Sequence, residues 1–256
     1  MTNRLIRIKL NKNLYGTAYL TDKKSVLGTI IHLSGFPGQL GKNELGEILS
    51  KAGYTVIQPF YYGSFDSGRV FSIENCFYTL QDTIKSVEKN QIIDIYNDKK
   101  ILTKGPVILI GNSFGTNIIQ SYPGKFGDIN KVIMISSVPI VPDFNNKFGF
   151  NPSNFVGFVK KAFPRSYRIK DSIKLENEFS SPNSLLSVIK LPDNMEILQI
   201  FGKDDYIPKK IINQIYSEKN FGFKAKVSQF TVPGNHSLDS MNQVKIAIEI
   251  ENFLKK

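Results

Sequence analysis

The sequence contains very little cysteine and very little histidine. Its 256 residues include one cysteine, Cys76, and two histidines, His32 and His236. A single thiol excludes an intrachain disulfide and is typical of proteins from a reducing compartment. The chain also lacks the Cys/His spacing that binds zinc. The two histidines leave few candidates for a catalytic base.

Long apolar runs are absent as well. No apolar segment approaches the ~20 residues that a membrane-spanning helix needs. Charged residues repeatedly interrupt the segment Met1–Leu10, so we expect neither a signal peptide nor a membrane anchor there. The sequence shows no internal repeat and no low-complexity segment. We therefore expect a soluble cytoplasmic protein without a membrane span.

The net charge is strongly positive, at +11. A basic chain can bind nucleic acid or an anionic membrane surface. Here the lysines are scattered, adjacent basic residues occur only as pairs, and there is no arginine-rich arm. This pattern favours a solvated, lysine-rich surface, and we expect no nucleic-acid partner.

Short apolar segments alternate with segments of helical periodicity along most of the chain. This order predicts an α/β fold with a mostly parallel sheet and helices on both faces, and the length suits one large domain. Strands are predicted at Leu5–Leu10, Tyr15–Leu20, Ser25–Leu33, Tyr54–Phe60, Pro106–Ile110, Lys131–Ile135, Glu196–Phe201 and Lys226–Val232. Helices are predicted at Lys42–Ala52, Ile73–Asn97, Thr116–Gln120, Pro208–Ser217 and Leu238–Leu254.

One region interrupts this alternation. Between residues 137 and 193 no strand is predicted, and an amphipathic helix is predicted over Pro152–Phe163. The apolar face of that helix is predicted to consist of Phe155, Phe158, Val159 and Ala162. Further aromatic residues of the region are Phe144, Phe148, Phe150 and Phe163.

We expect residues 1–136 and 194–256 to form the core of the domain and residues 137–193 to form an insertion. The insertion can be a cap over an active site that contacts an apolar substrate. It can also be an ordinary helical insertion whose aromatic residues fill a small core of their own. The two interpretations do not exclude each other.

The segment Val107–Gly115 combines an apolar run with a Gly-x-Ser-x-Gly motif. The motif Gly111-Asn112-Ser113-Phe114-Gly115 follows the predicted strand without a gap and precedes a helix-compatible segment. This arrangement is typical of a nucleophile elbow, a tight strand-to-helix turn that exposes a serine hydroxyl. The two glycines let strand and helix approach each other closely. Ser113 is the predicted nucleophile; the alternative is a Gly-rich turn in which Ser113 only caps the helix.

A serine nucleophile needs a base, and the base needs an orienting carboxylate. His236 lies in a Gly-containing loop just after the last predicted strand, from which it can reach the carboxyl edge of the sheet. His32 lies inside an apolar strand and is predicted to be a packed strand residue. Asp204 and Asp205 directly follow another predicted strand, and both are candidates for the carboxylate. The order Ser, Asp, His is one of the known orders of a catalytic triad.

These motifs resemble those of the α/β-hydrolase superfamily, over nearly the full length of the chain. The resemblance implies a mostly parallel central sheet with helices on both faces and a helical cap insertion. It also implies Ser113 as nucleophile and His236 as base. Gly202-Lys203-Asp204-Asp205 is similar to the Gly-x-x-Asp acid loop of the family, which favours Asp205 over Asp204 as the acid.

Ser34-Gly35-Phe36-Pro37-Gly38 resembles the His-Gly-Phe-Pro-Gly oxyanion loop of the same superfamily. The match implies that the backbone N–H groups of Phe36 and Phe114 hold the developing oxyanion. Ser34 stands where the family usually has histidine. This difference affects the hydrogen bonds that support the loop, but it leaves the backbone donors in place.

The resemblance implies a serine hydrolase that works through an acyl-enzyme and needs neither a metal nor an organic cofactor. The aromatic insertion favours an apolar acyl group, hence a carboxylesterase or lipase-like activity on small-molecule esters. An aminopeptidase or amidase is the alternative within the fold. A binding protein that kept the fold and lost turnover is the alternative from another class.

Overall fold

The computed structural model describes residues 4–23, 25–38, 43–137, 151–181, 183–187, 190–205, 226–238 and 240–256. Its strands are β1 (Arg4–Asn11), β2 (Leu14–Leu20), β3 (Gly28–Leu33), β4 (Tyr54–Pro59), β5 (Ile92–Asp94), β6 (Lys99–Ile101), β7 (Val107–Asn112), β8 (Lys131–Ile135), β9 (Glu196–Gly202) and β10 (Lys226–Val232). Its helices are α1 (Glu44–Ala52), α2 (Ile73–Glu88), α3 (Phe114–Gln120), α4 (Pro152–Ala162), α5 (Ser172–Ser180) and α6 (Ser240–Leu254). The helix predicted at Pro208–Ser217 and the aromatic residues Phe144, Phe148 and Phe150 lie outside the described residues.

The described strands form one ten-stranded sheet in the order β10-β9-β8-β7-β3-β4-β2-β1-β5-β6. Strands β3, β4, β7, β8, β9 and β10 pair in parallel, and the remaining strands add an antiparallel extension at one side. The predicted mostly parallel sheet is therefore confirmed. In such a sheet the carboxyl ends of the parallel strands share one edge, where loops from different strands can meet.

Apolar side chains cover both faces of the sheet. In β3 every residue is buried, and successive side chains alternate between faces, so Ile30 packs in one apolar cluster and Ile31 in the other. The cluster of Ile30 includes Leu49 of α1 and Ile246 of α6, whereas the other cluster receives residues of α2, α3, α4 and α5. The core strands are thus fixed from both sides, which holds the loops at their carboxyl ends in place.

Helix α2 is shorter than the sequence pattern predicts. The prediction of a helix over Ile73–Asn97 is wrong beyond Glu88, because Asn90 adopts a positive φ of 49°. The chain then forms the short hairpin β5–β6, and β5 pairs with β1. The residues of β5 are more stable as an added strand than as another helical turn, since Ile92 is fully buried there.

Helix α4 lies where the sequence predicts it, but its buried face differs from the prediction. Val156 and Val159 are fully buried and pack in the same cluster as Phe179 of α5. Phe158, predicted to face inwards, is 55% exposed, and Ala162 is exposed as well. Helix α5, which the sequence analysis does not predict, determines this orientation because it packs against α4. Among the described residues, no helix combines the length and apolar character required to cross a bilayer.

Candidate active site

The turn between β7 and α3 holds Ser113 in an unusual backbone conformation. Strand β7 ends at Asn112, Ser113 has φ 51° and ψ −115°, and α3 begins at Phe114. A positive φ is uncommon for residues other than glycine and stores strain. The Ser113 N–H donates a hydrogen bond of 2.8 Å to the carbonyl oxygen of Ile135 in β8, which ties the turn to the neighbouring strand.

Two glycines permit this turn, as the sequence predicts. A Cβ atom added to Gly115 would lie 2.2 Å from the carbonyl oxygen of Leu33, and one added to Gly111 would lie 2.7 Å from the nitrogen of Thr116. Both distances are too short for any side chain. The prediction that these glycines let strand and helix approach closely is confirmed.

The structure brings together the three side chains predicted for a triad. His236 Nε2 lies 3.0 Å from Ser113 Oγ, and His236 Nδ1 lies 3.0 Å and 3.2 Å from the two carboxylate oxygens of Asp205. The Asp205 side chain is only 3% exposed, whereas Asp204 is exposed. The three side chains come from the loops after β7, β9 and β10, at the carboxyl edge of the sheet.

Close backbone packing positions the acid and histidine loops against each other. A Cβ atom added to Gly202 would lie 2.4 Å from the carbonyl oxygens of both Gly234 and Asn235. The Asp204 N–H also donates to the Gly234 oxygen, at 2.9 Å. On the other side, the Ser136 hydroxyl donates a 2.7 Å hydrogen bond to the His236 carbonyl oxygen. The sequence analysis does not identify Ser136; its signal is its position directly after β8, at the same edge of the sheet.

The loop of residues 34–38 lies against Ser113. A Cβ atom added to Gly35 would lie 3.5 Å from Ser113 Cβ and 4.0 Å from its Oγ. Within the described part of the chain, no atom accepts a hydrogen bond from the N–H of Phe36 or of Phe114.

Solved structures similar to this chain share the arrangement of its strands and helices. The chain is similar to DcsB, solved in complex with its substrate analogue, with a TM-score of 0.68, 14% identity, and coverage of 99% of this chain and 98% of DcsB. The Pyrococcus furiosus esterase Pf2001 gives a TM-score of 0.65 with 19% identity, over 99% of this chain and 90% of the esterase. The chain has the α/β-hydrolase fold.

The structure of the chain is also similar to that of a peptidase. The Pyrococcus horikoshii acylaminoacyl peptidase gives a TM-score of 0.59 with 17% identity, and the match covers 99% of this chain but 41% of the peptidase. No protein-family model and no curated protein sequence matches the chain. Because one α/β-hydrolase fold supports different reactions, its chemistry must be argued from the site.

The hydrogen bonds of the triad fix the tautomer of His236. Asp205 can only accept at Nδ1, so Nδ1 carries the proton and Nε2 is left as an acceptor for the Ser113 hydroxyl. This is the arrangement in which an imidazole can remove the serine proton. In the described residues of this α/β-hydrolase fold, no three His, Cys, Asp or Glu side chains lie close enough together to hold a metal ion.

Ser34 is supported by a chain of polar side chains that the sequence analysis does not identify. Gln58 Nε2 donates to Ser34 Oγ at 2.7 Å, and Asn43 Nδ2 donates to Gln58 Oε1 at 3.2 Å. Asn43 Nδ2 also lies 2.7 Å from His32 Nδ1. Asn43 Oδ1 accepts from the Gly46 N–H as the N-cap of α1, so the amide orientation is fixed and His32 Nδ1 must be the acceptor.

His32 is a packed strand residue, as predicted. It is 5% exposed, and burial lowers its pKa to about 4. At neutral pH its imidazole is therefore uncharged, which is the state that can accept from Asn43. His32 thus takes part, through Asn43 and Gln58, in the support of Ser34.

The buried neutral His32 should make the folded protein less stable in mild acid. Its pKa of about 4 lies below the 6.5 of an unperturbed histidine, so below that pH the unfolded chain binds a proton that the folded chain excludes. The stabilisation is complete above about pH 6.5 and is lost as the pH falls towards 4; about 2 kcal/mol should be lost at pH 5. Urea unfolding of the wild type at about pH 7.5 and about pH 5 measures this loss.

The matched variant for this measurement is His32→Asn. An asparagine amide oxygen can take the place of the Nδ1 acceptor but cannot titrate. The difference in unfolding free energy between the two pH values should be about 2 kcal/mol smaller in the variant. An equal pH dependence in both proteins would mean that other groups cause the acid loss.

Proposed function

We propose that the protein is a serine hydrolase in which Ser113 is the nucleophile, His236 the general base and Asp205 the orienting acid. The observation that carries this proposal is the continuous hydrogen-bonded chain from the Ser113 hydroxyl through the imidazole to a buried carboxylate. Ser113 is strained and only partly exposed, and its side chain makes no capping hydrogen bond to α3, so the turn itself does not require these partners. Geometry and residue types therefore both support catalysis.

In the proposed mechanism, His236 takes the Ser113 proton as the hydroxyl attacks a carbonyl carbon. The negative charge on the carbonyl oxygen is held by the N–H groups of Phe36 and Phe114, and Asp205 stabilises the imidazolium. His236 then protonates the leaving group, and an acyl-enzyme forms. Water, deprotonated by His236, attacks the acyl carbon; the bond to Ser113 Oγ then breaks, His236 returns the proton to Oγ, and the carboxylic acid leaves.

The aromatic surroundings of the oxyanion donors support an apolar acyl group. Phe36 stacks on Phe71 with ring centroids 4.4 Å apart, and it meets the Phe155 ring edge-on at 5.6 Å. Phe179 lies 6.1 Å from Phe36 and 6.0 Å from Phe114. A substrate carbonyl at these donors would lie beside this buried aromatic cluster, so we favour carboxylic esters of apolar acids as substrates.

We also propose that residues 137–193 form a cap inserted into a core of residues 1–136 and 194–256. Helices α4 and α5 contribute Phe155 and Phe179 to the aromatic surroundings described above. A segment whose rings contact those of Phe36 and Phe114 is suited to influence which substrates bind. These contacts favour the interpretation as a cap and disfavour an insertion whose aromatic residues fill only a core of their own.

The test is covalent labelling with a fluorophosphonate probe, followed by peptide mapping. We expect one label per chain, on Ser113, and hydrolysis of p-nitrophenyl butyrate. Failure of the folded wild type to react would contradict the enzyme proposal and favour a binding protein of the same fold.

The same protein should then be offered aminoacyl-p-nitroanilides. The likeness to an acylaminoacyl peptidase makes an amidase or aminopeptidase the second candidate. A higher kcat/KM for the anilides than for the butyrate ester would overturn the ester proposal while leaving the serine mechanism intact.

A further inference from the structure

Tyr167 joins the segment after α4 to the loop that carries Phe36. Its hydroxyl donates a 3.0 Å hydrogen bond to the Gly38 carbonyl oxygen and accepts a 2.6 Å hydrogen bond from the Gly38 N–H. One side chain therefore satisfies both backbone polar groups of Gly38, which lies two residues after Phe36. Because a hydroxyl can donate and accept at once, tyrosine is suited to this position and phenylalanine is not.

The ring of Tyr167 also contacts the ring of Phe36. The two rings meet edge-on, with centroids 4.9 Å apart and an interplanar angle of 88°. Tyr167 is 6% exposed, and burial raises its pKa to about 12. The hydroxyl therefore stays protonated at neutral pH and keeps its hydrogen bond to Gly38. The oxyanion loop is held by this residue at two points, one polar and one aromatic.

Tyr167 is itself fixed by backbone pairing with the loop of residues 63–71. The Arg168 N–H donates to the Gly63 oxygen at 2.8 Å, and the Phe71 N–H donates to the Arg168 oxygen at 3.0 Å. The Arg168 guanidinium adds hydrogen bonds to backbone oxygens of the same loop. This pairing fixes the backbone from which the Tyr167 ring extends towards Phe36.

We propose that Tyr167 is a positioning residue that holds the oxyanion loop in its working conformation. The inference rests on the proposed function, since it assigns the Phe36 N–H to the oxyanion. Tyr167 touches neither the triad nor the reacting atoms; it acts through Gly38 and Phe36. The segment after α4 thereby supports the oxyanion loop.

Loss of the hydroxyl should affect the transition state more than substrate binding. An oxyanion donor acts where charge develops, and complete removal of one lowers the rate by about 10²–10³-fold. In Tyr167→Phe the donor is present but held less firmly, so we expect kcat to fall about tenfold and KM to change less than about twofold.

The matched control is Tyr62→Phe. The Tyr62 hydroxyl is also buried, and it bonds to Asp82 at 2.6 Å and Asn11 at 2.8 Å, away from the oxyanion loop. Both variants should lower the urea midpoint of unfolding, because each loses a hydroxyl with two hydrogen-bond partners. Only Tyr167→Phe should lower kcat and slow fluorophosphonate labelling.

Results of the following kinds would decide against the inference. An unchanged kcat in Tyr167→Phe, or an equal fall in Tyr62→Phe, would reduce Tyr167 to a structural role. A shifted pH profile of kcat/KM in Tyr167→Phe would mean that the residue acts on the triad. Incorporation of 4-aminophenylalanine at position 167 restores a hydrogen-bond donor on the same ring and should recover most of the lost kcat. This variant keeps the test valid even if Tyr167→Phe folds poorly. A wild type that neither labels nor turns over would instead refute the proposed function, and the inference with it.

Discussion

Replacement of Ser113 by alanine is expected to lower kcat for p-nitrophenyl butyrate by about 10⁶-fold and to abolish fluorophosphonate labelling. Without the hydroxyl no acyl-enzyme can form. The remaining rate then comes from binding and from the N–H groups of Phe36 and Phe114. Initial rates at high enzyme concentration, with active-site titration of the wild type, measure the ratio.

Ser113→Gly provides a second, independent measure at the same position. Ser113 has a φ of 51°, a conformation that glycine adopts without strain and alanine does not. Both variants should be inactive, but the glycine variant should be the more stable of the two, by about 1 kcal/mol in urea unfolding. Residual wild-type activity in either variant would exclude Ser113 as the nucleophile. A less stable glycine variant would contradict strain at the elbow.

Ser113 and His236 could be selected from the sequence as candidates for the nucleophile and the base because each lies in a short motif beside a strand. The motif around Ser113 is informative because positions 111 and 115 have room only for glycine. His236 could be found because the chain offers only one other histidine, and His32 lies in a buried strand. Local sequence therefore determines these parts of the site.

The supports of the loop of residues 34–38 could not be predicted in this way. Gln58 and Tyr61 lie in and directly after β4, Tyr167 lies after α4, and none of them belongs to a motif. The hydroxyl of Tyr61, for example, donates to the Ser34 carbonyl oxygen at 2.8 Å. Only the folded sheet and the packing of the segment after α4 bring such groups together, so a single sequence contains no local signal for them.

Periodicity alone also misjudges which elements continue and which face is buried. The apolar spacing of α2 runs on towards residue 97, but pairing of β5 with β1 decides the end of the helix. In α4, aromatic and aliphatic residues form two neighbouring apolar faces, and packing on α5 buries Val156 and Val159 while it leaves Phe158 exposed. Both outcomes depend on tertiary contacts that act after the local pattern is set.

The second large effect is expected from replacing Asp205, which we propose in preference to Asp204 as the acid that orients His236. Asp205→Asn should lower kcat about 10⁴-fold, because an amide can donate a hydrogen bond to His236 Nδ1 and so favour the tautomer with the proton on Nε2. That tautomer cannot accept the Ser113 proton. Steady-state hydrolysis of p-nitrophenyl butyrate at neutral pH measures the loss.

Asp204→Asn is the matched control, since it removes the same charge one residue away. Asp204 is exposed, so its replacement should change kcat less than about threefold. Any general effect of net charge is common to both variants, and their ratio isolates the hydrogen bond to the imidazole. A larger loss in Asp204→Asn than in Asp205→Asn would reverse the assignment of the acid. Equal small losses would mean that Asp205, 3.0 Å from His236 Nδ1, does not set the tautomer of the imidazole. Proton removal from Ser113 would then not depend on this carboxylate.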